Sequence, residues 1–140
     1  MEIHVFAPYV VALSPRLVNT LQVKPNEAVC FAITKDANDN PKGLWIGKET
    51  IFTSTQSLSY PLHRNHIHGF DGFSAKLLVY EMNLNPGAYK VNPEARFCKN
   101  TGIDWFKVDF ENGVQRNWRA IESHPVKKIK RISLENDGDI

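Results

Sequence analysis

A pattern that occurs twice constrains the fold of this chain more than any other feature. The stretches 14-SPRLV…KPNEAVCF-31 and 74-SAKLL…NPGAYKV-91 each contain a serine, paired apolar residues, a proline turn and an alanine fourteen residues after the serine. A serine before apolar residues at helical spacing predicts a capped helix, and the apolar run after the proline predicts a strand. The repetition indicates two related helix–turn–strand units, although any short capped helix before a strand has the same pattern.

Two short helices follow from this pattern. They are predicted over residues 15–23 and 75–83, with Ser14 and Ser74 as the capping residues. Pro15 fits the first helical position, where the missing N–H is no loss, and a proline turn ends each helix.

Strands are predicted around these helices. Residues 3–12 are rich in β-branched and aromatic side chains and predict one strand, bent at Pro8. A hairpin is predicted over residues 28–48, around a loop dense in turn formers, and another over residues 105–121, where a clean alternation leads into Asn-Gly. The polar residues 49–65 predict a long connection with room for one edge strand.

These elements predict one β-rich α+β domain over residues 1–125 and a charged C-terminal tail over residues 126–140. With 42% apolar and 23% charged residues, the composition is typical of globular proteins. The core is expected to draw on the apolar residues of the predicted elements. They are Val10, Leu17, Leu21, Val29, Phe31, Leu44, Ile46, Phe73, Leu77, Leu78, Phe97, Phe106, Val108, Phe110 and Ile121.

Charge and cysteine content narrow the class of protein. A net charge of +2 is too small to indicate a nucleic-acid or membrane partner by itself. We expect no membrane partner and no secretory signal, because the chain has neither a long apolar run nor a basic segment followed by an apolar one. Cys30 and Cys98 each adjoin a phenylalanine and are expected to be buried thiols. The expected location is the cytoplasm, or a virion if the protein derives from a phage.

Three histidines lie within six residues in the stretch 63-HRNHIHGF-70. If that stretch is extended, His66 and His68 point to one side and His63 to the other. Two such imidazoles can bind zinc, but a catalytic zinc site needs a third ligand. A metal-dependent hydrolase using His63, His66 and His68 is therefore one alternative. The other, which we favour, is a polar loop that leads into the second helix.

No other motif predicts catalysis. The chain has no G-x-S-x-G, P-loop or G-x-G-x-x-G sequence. Asp104, Asp109 and Glu111 are close in sequence, but Asp109 shares a predicted strand face with Trp105 and Lys107, as solvated residues do. We therefore predict no catalytic residue and no cofactor, with zinc as the alternative.

A basic segment near the C-terminus predicts contact with nucleic acid. Between Gly113 and Arg131 the sequence contains six basic residues, a tryptophan and only one acidic residue, Glu122. Such a segment neutralises phosphates, so the contact would be directed at the backbone and indifferent to sequence. The alternative is a solvated tail. The predicted contact residues are Arg116, Trp118, Arg119, Lys127, Lys128, Lys130 and Arg131.

Residues 3–48 also carry a family pattern. Families with this pattern have a short helix of the form P-x-x-[IL]-x-x-x-L, then a proline turn and a hairpin. Here the residues at comparable places are Pro15, Val18, Leu21 or Val23, Lys24 and Pro25. In this the segment resembles AbrB-like transition-state regulators and MazE-type antitoxins. The resemblance implies a swapped-hairpin fold, which in those families is an obligate dimer. It also implies that a single chain with two units can close on itself.

The segment departs from the family at two places. Asn26-Glu27 replaces the usual Gly-Asp turn, and the N-terminal strand is apolar where those families carry the Arg and Lys residues that contact DNA. The order of SPRLV, GF, SAKLL and FKVDFE is also similar to that of small proteins of bacterial phages and mobile elements, a resemblance that implies no activity.

The function expected from the sequence is that of a non-catalytic interaction or assembly protein. A β-rich domain with exposed strand edges suits pairing with a protein partner or a second copy. It would be a phage or mobile-element accessory protein, or associated with a virion. The alternatives are an AbrB-like or backbone-directed nucleic-acid-binding protein, and the metal-dependent hydrolase.

Overall fold

The computed structural model describes residues 1–50 and 58–115, which form ten strands and two helices. The strands are β1 (Glu2–Phe6), β2 (Val10–Leu13), β3 (Ala28–Lys35), β4 (Pro41–Lys48), β5 (Leu58–Pro61), β6 (His63–Ile67), β7 (Phe70–Ser74), β8 (Gly87–Lys90), β9 (Arg96–Cys98) and β10 (Ile103–Val108). The helices are α1 (Pro15–Leu21) and α2 (Lys76–Met82). The described part of the chain is thus β-rich with two short helices, as predicted.

The strands form two antiparallel sheets. The first sheet has the order β6-β7-β2-β1-β8 and the second has the order β5-β3-β4-β10-β9. The sheets are linked at two edges. On one side, Leu62 alone separates β5 from β6, and its N–H donates to the carbonyl oxygen of Glu27 at 2.9 Å. On the other side, Val91 bridges to Val108. One core lies between the two linked sheets.

The two halves of the chain, residues 1–50 and 58–115, are interleaved. In the first sheet, β1 of the first half pairs with β8 of the second half. In the second sheet, β5 of the second half pairs with β3 of the first half. Each half therefore completes the sheet of the other, and neither buries its apolar faces alone.

Both helices have the same backbone geometry at positions 61 residues apart. Val18 N–H donates to the carbonyl of Ser14 at 3.1 Å, and Val79 N–H donates to that of Ala75 at 3.0 Å. Each helix ends at a left-handed residue, Gln22 with φ 57° or Asn83 with φ 52°. Such a residue is a common way to end a helix, because it turns the next N–H groups back onto the last carbonyls.

The pairing between the halves is symmetric. Strands β2 and β7 are antiparallel around the pair Ala12–Gly72, and β4 and β10 are antiparallel around the pair Trp45–Lys107. A Cβ on Gly72 would clash with the carbonyl oxygen of Val11, so glycine at this position allows β2 and β7 to approach closely. In each sheet, a strand of the first half thus pairs antiparallel with a strand of the second half.

An aromatic trio connects the halves inside the core. Phe31 of β3 packs edge-on against Phe73 of β7, with ring centroids 6.0 Å apart. Tyr60 of β5 stacks on Phe73 with centroids 5.2 Å apart, and its hydroxyl accepts a hydrogen bond from Leu78 N–H at 3.2 Å. Buried aromatic pairs of this kind contribute roughly 0.5–1.5 kcal/mol beyond the area that they bury.

Most predicted core residues are buried. They are Leu17, Leu21, Val29, Phe31, Leu44, Ile46, Phe73, Leu78, Phe106 and Val108.

Two core predictions are wrong and two are only partly right. Leu77 is 68% exposed and Phe97 is 64% exposed. Leu77 lies outward because α2 begins one residue later than the serine alignment predicts. Phe97 lies on β9, which pairs with only one strand within the described ranges, β10. Val10 is half-buried, and Phe110 is half-buried against the core. Ile121 lies outside the described residues.

The N-terminal strand and the second helix cap are also corrected. Residues 3–12 form a hairpin of β1 and β2 rather than one bent strand, because the chain reverses at Ala7-Pro8-Tyr9. Ser74 stays in β7, paired with Val10, and Ala75 takes the cap position. At the first helix Ser14 is the cap, but its Oγ accepts a hydrogen bond from Glu2 N–H at 3.1 Å and none from the helix.

The hairpin predicted over residues 28–48 is present as β3 and β4. The helices span Pro15–Leu21 and Lys76–Met82, shorter than predicted. The strand predicted to return over residues 117–123 and the tail from residue 126 lie outside the described residues. Neither helix is long or apolar enough to cross a membrane.

Candidate nucleic-acid interface

Trp45 is the centre of an outward-facing basic site on the second sheet. Its neighbours in β4, Leu44 and Ile46, are fully buried, so the alternation of the strand turns Trp45 to the opposite face. The guanidinium carbon of Arg96 lies 5.9 Å from the Trp45 ring centroid, and the Lys107 ammonium lies 5.7 Å from it. Both cations are within the range of cation–π attraction, which holds them beside the indole.

The register of the sheet explains this convergence. Lys107 in β10 lies directly opposite Trp45 in β4. Arg96 in β9 lies directly opposite Trp105, the outward neighbour of Lys107 in β10. Directly opposed residues of antiparallel strands share a face, so Trp45, Arg96, Trp105 and Lys107 lie on one side. We call these four residues the basic–aromatic face.

A small apolar cluster, separate from the main core, packs beneath the basic–aromatic face on the outer side of the second sheet. Trp105 packs with Ile103 and Cys30, all buried on the outer side of the second sheet. The Trp105 Nε1–H donates to Thr101 Oγ1 at 3.1 Å, so the polar atom of the indole is satisfied. A Cβ on Gly47 would lie 2.9 Å from Ile103 Cδ1, so this glycine allows the cluster to pack against β4. The four residues of the face therefore all lie on paired strands rather than on a loop.

A shallow groove of about 220 Å³ opens on this side of the sheet. Its lining residues are Ala32, Trp45, Arg96, Phe97, Cys98 and Trp105.

A larger open depression of about 550 Å³ is lined in part by Lys107, whose ammonium also approaches the Trp45 ring of the groove. Lys42, Lys90 and Lys107 contribute three positive charges to its lining, and Asp109 and Glu111 contribute two negative ones, which leaves one net positive charge. The depression is thus less basic than the face around Trp45.

The two cysteines of the outer cluster have different chemistry. Burial raises the pKa of the Cys30 thiol to about 12, and the charge of Glu49 adds to the rise. The hydroxyl and backbone of Thr101 lower the pKa of the half-buried Cys98 by hydrogen bonding. Cys98 therefore has the greater thiolate fraction at neutral pH, while Cys30 stays protonated. The prediction of a buried thiol is confirmed for Cys30 and only partly for Cys98.

The histidine stretch forms a hairpin, which corrects the predicted loop. His68 and Gly69 have φ values of 51° and 80° and form the turn between β6 and β7. Asn65 also has a positive φ, 51°, and the register shifts between His63 and Ile67. The stretch is not regularly extended, so the predicted alternation of its imidazoles does not hold.

The three histidines are divided between two places. The rings of His63 and His66 are 5.6 Å apart, while His68 lies against Phe6 with ring centroids 4.8 Å apart. Within residues 1–50 and 58–115, no group of three or more His, Cys, Asp or Glu side chains is arranged to hold a metal ion.

The basic segment predicted to contact nucleic acid lies outside the described residues. Arg116, Trp118, Arg119, Lys127, Lys128, Lys130 and Arg131 all belong to it.

Comparison with known proteins gives no family for this chain. Neither a protein-family model, nor a curated protein, nor a solved structure matches it.

The sequence prediction missed the basic–aromatic face. Its usable signal is local: Trp45 alternates with Leu44 and Ile46, and Lys107 alternates with Phe106 and Val108. What brings the two strands together is a pairing across more than sixty positions of sequence, which no local pattern indicates.

Proposed function

We propose that this protein is a non-catalytic binding protein that holds the phosphate backbone of nucleic acid on the basic–aromatic face. The observation that carries this proposal is the placement of Arg96 and Lys107 beside the outward ring of Trp45. Phosphates attract such cations, and stacked or exposed aromatic rings beside them favour nucleic acid over a simple anion. The basic segment predicted from the sequence would add further contacts.

An oligonucleotide titration at two salt concentrations tests this proposal. The double variant Arg96→Gln/Lys107→Gln should lower affinity roughly tenfold and reduce the salt dependence, because each phosphate contact contributes about 0.7–0.9 to the salt slope. The matched control is Arg16→Gln/Lys24→Gln, which removes the same charge from exposed positions that line neither depression. Equal losses in the two double variants, or no binding by the unaltered protein at low salt, would refute the proposal.

The repeated geometry supports a second part of the proposal: the two halves are related copies of one helix–turn–strand unit. Their helices repeat at an offset of 61 residues and their hairpin strands exchange sheets. Exchange of hairpins is also what the resemblance of residues 3–48 to AbrB-like proteins implies, with one chain here in place of two.

Assembly with a protein partner is the competing proposal from the sequence. Its support in the described residues is the outward face of α2, where Leu77 and Tyr80 are more than half exposed. Nothing in the structure indicates what would cover these side chains, so we place nucleic-acid binding first. An origin in a phage or mobile element stays a prediction, and so does hydrolysis at a histidine-bound metal.

A further inference from the structure

Building on the proposed function, we infer that the basic–aromatic face takes single-stranded nucleic acid. An unpaired base would lie in the groove against Trp45, and its flanking phosphates would pair with Arg96 and Lys107. Single-stranded DNA and RNA share this chemistry, since both offer an exposed base between two phosphates.

The shape of the site favours an unpaired base. The groove is shallow, and tryptophan side chains form two of its walls, Trp45 half-buried and Trp105 buried. Every base has an aromatic face, so any of the four bases can stack on a tryptophan ring. In a duplex those faces are covered by neighbouring base pairs, so only phosphates reach the protein.

The charge distribution favours a strand that crosses the groove. Arg96 and Lys107 extend from different strands, β9 and β10, and both approach Trp45. A nucleotide stacked there would place the phosphates on either side near a cation. Lys107 also borders the depression that contains Lys42 and Lys90, so a strand leaving the groove on that side meets further positive charge.

The acidic residues limit how far the strand can follow this surface. Asp109 and Glu111 line the same depression as the three lysines. Their charges repel phosphates and leave only the near part of the depression favourable. We therefore expect a short binding site of a few nucleotides, with Trp45 at its centre.

Fluorescence anisotropy tests this inference with three probes, a 12-nucleotide oligo(dT), a 12-nucleotide oligo(rU) and a 12-base-pair DNA duplex, and with inorganic polyphosphate as a competitor. The unaltered protein should bind both single strands at least tenfold more tightly than the duplex. Trp45→Leu, which keeps an apolar side chain but removes the ring, should weaken single-strand binding roughly tenfold and leave duplex binding unchanged. Tyr80→Leu, an exposed aromatic on α2, is the matched control and should change neither.

Alkylation of Cys98 gives a second readout that does not depend on the Trp45 variant. Cys98 lines the groove, whereas Cys30 is buried and serves as an internal control for folding. Saturating oligo(dT) should slow iodoacetamide labelling of Cys98 at least fivefold, while Cys30 stays unlabelled with or without it.

The outcomes separate this inference from the proposed function. If single strands, duplex and polyphosphate compete equally and Arg96→Gln/Lys107→Gln still weakens binding, the single-strand inference is wrong and the proposed function stands. If single strands bind but Trp45→Leu binds normally and Cys98 is not protected, the inference is wrong. The proposed function then stands if Arg96→Gln/Lys107→Gln weakens binding and fails if it does not. If no probe binds, both fail.

Discussion

The helices of the two halves bury similar side chains in the core but expose different side chains on their outward faces. Leu17 of α1 and Leu78 of α2 are both fully buried at equivalent positions. On the outward side, α1 presents Arg16 where α2 presents Leu77, and Asn19 where α2 presents Tyr80. Because the shared core is close-packed it tolerates few side chains, whereas each outer face is free to change.

The same contrast occurs where the two halves pair across each sheet. Ala12 faces Gly72, and Trp45 faces Lys107. In a symmetric dimer of identical chains, residues that meet at the axis must be the same. A single chain removes that restriction and allows a tryptophan and a lysine to meet as complementary partners. Under the relation proposed for the two halves, the basic–aromatic face requires both of them in one chain.

The largest expected effect tests the equivalence of the two helices. Leu17→Ala and Leu78→Ala should each lower the free energy of unfolding by about 2–5 kcal/mol, because each leaves a cavity in the core. Leu77→Ala, one residue from Leu78, should change it by no more than about 0.5 kcal/mol. Urea denaturation measures all three. A large loss for Leu77→Ala would mean that α2 presents a different face to the core.

The next effect tests the centre of the first sheet. Gly72→Ala should cost about 1–3 kcal/mol, because the added Cβ meets the backbone of the neighbouring strand. Ala12→Gly, at the equivalent position, should cost no more than about 1 kcal/mol, mainly through backbone entropy. Thermal or urea unfolding of both variants makes the comparison. Equal costs would show that the close approach at Gly72 is not present.

The pH dependence of stability tests the outer cluster. The folded-state pKa of Cys30, about 12, lies above the ordinary value of 9.0, so the folded protein keeps a proton that the unfolded chain loses. Stability is fully present below pH 9 and falls as the pH rises towards 12, by at most roughly 1.4 kcal/mol per unit. Burial also raises the pKa of Tyr60 and Tyr89, which act in the same direction.

The variant Cys30→Ala isolates the contribution of the thiol. Its stability relative to the unaltered protein should rise between pH 9 and pH 11 in urea titrations, since the variant has no thiol to ionise. Cys98→Ala is the control and should show no such relative gain. A Cys30 that reacts with iodoacetamide in the native protein as fast as Cys98 would contradict its burial.

The smallest expected effect concerns the ion pair that joins the halves at the surface. Lys35 Nζ lies 2.9 Å from Glu81 Oε2, and this contact raises the pKa of Lys35. Both groups are accessible to solvent, and exposed pairs of this kind contribute little to stability. Lys35→Gln should leave the urea midpoint unchanged within error. A clear loss would mean that surface charge holds the halves together.

Sequence patterns predicted the helices and strands better than they predicted which strands pair with each other. Pro15 and the leucines at helical spacing located α1, and the turn-rich loop located the hairpin of β3 and β4. The patterns wrongly placed Leu77 in the core. Because β7 runs through Ser74 and Ala75 takes the cap position, α2 begins one residue later than predicted and Leu77 turns outward. The sequence does not reveal this one-residue shift, because Ser74 is a typical capping residue but belongs to β7.

The candidate site could not be predicted because it depends on long-range pairing. Trp45 and Lys107 alternate properly within their own strands, but the contact between them exists only because β4 pairs with β10. The histidine stretch shows the converse. Three histidines close in sequence were its most conspicuous local pattern. In the structure, His68 lies in the turn with Gly69 and packs against Phe6, while His63 and His66 lie beside each other.

Amide hydrogen exchange tests the central claim that the interleaved halves form one cooperative unit. The most protected amides of β1 to β4 in the first half and of β7, β8 and β10 in the second should exchange with the same free energy of opening, equal to that of global unfolding. Protection that persists in one half while the other opens at a lower free energy would contradict the claim.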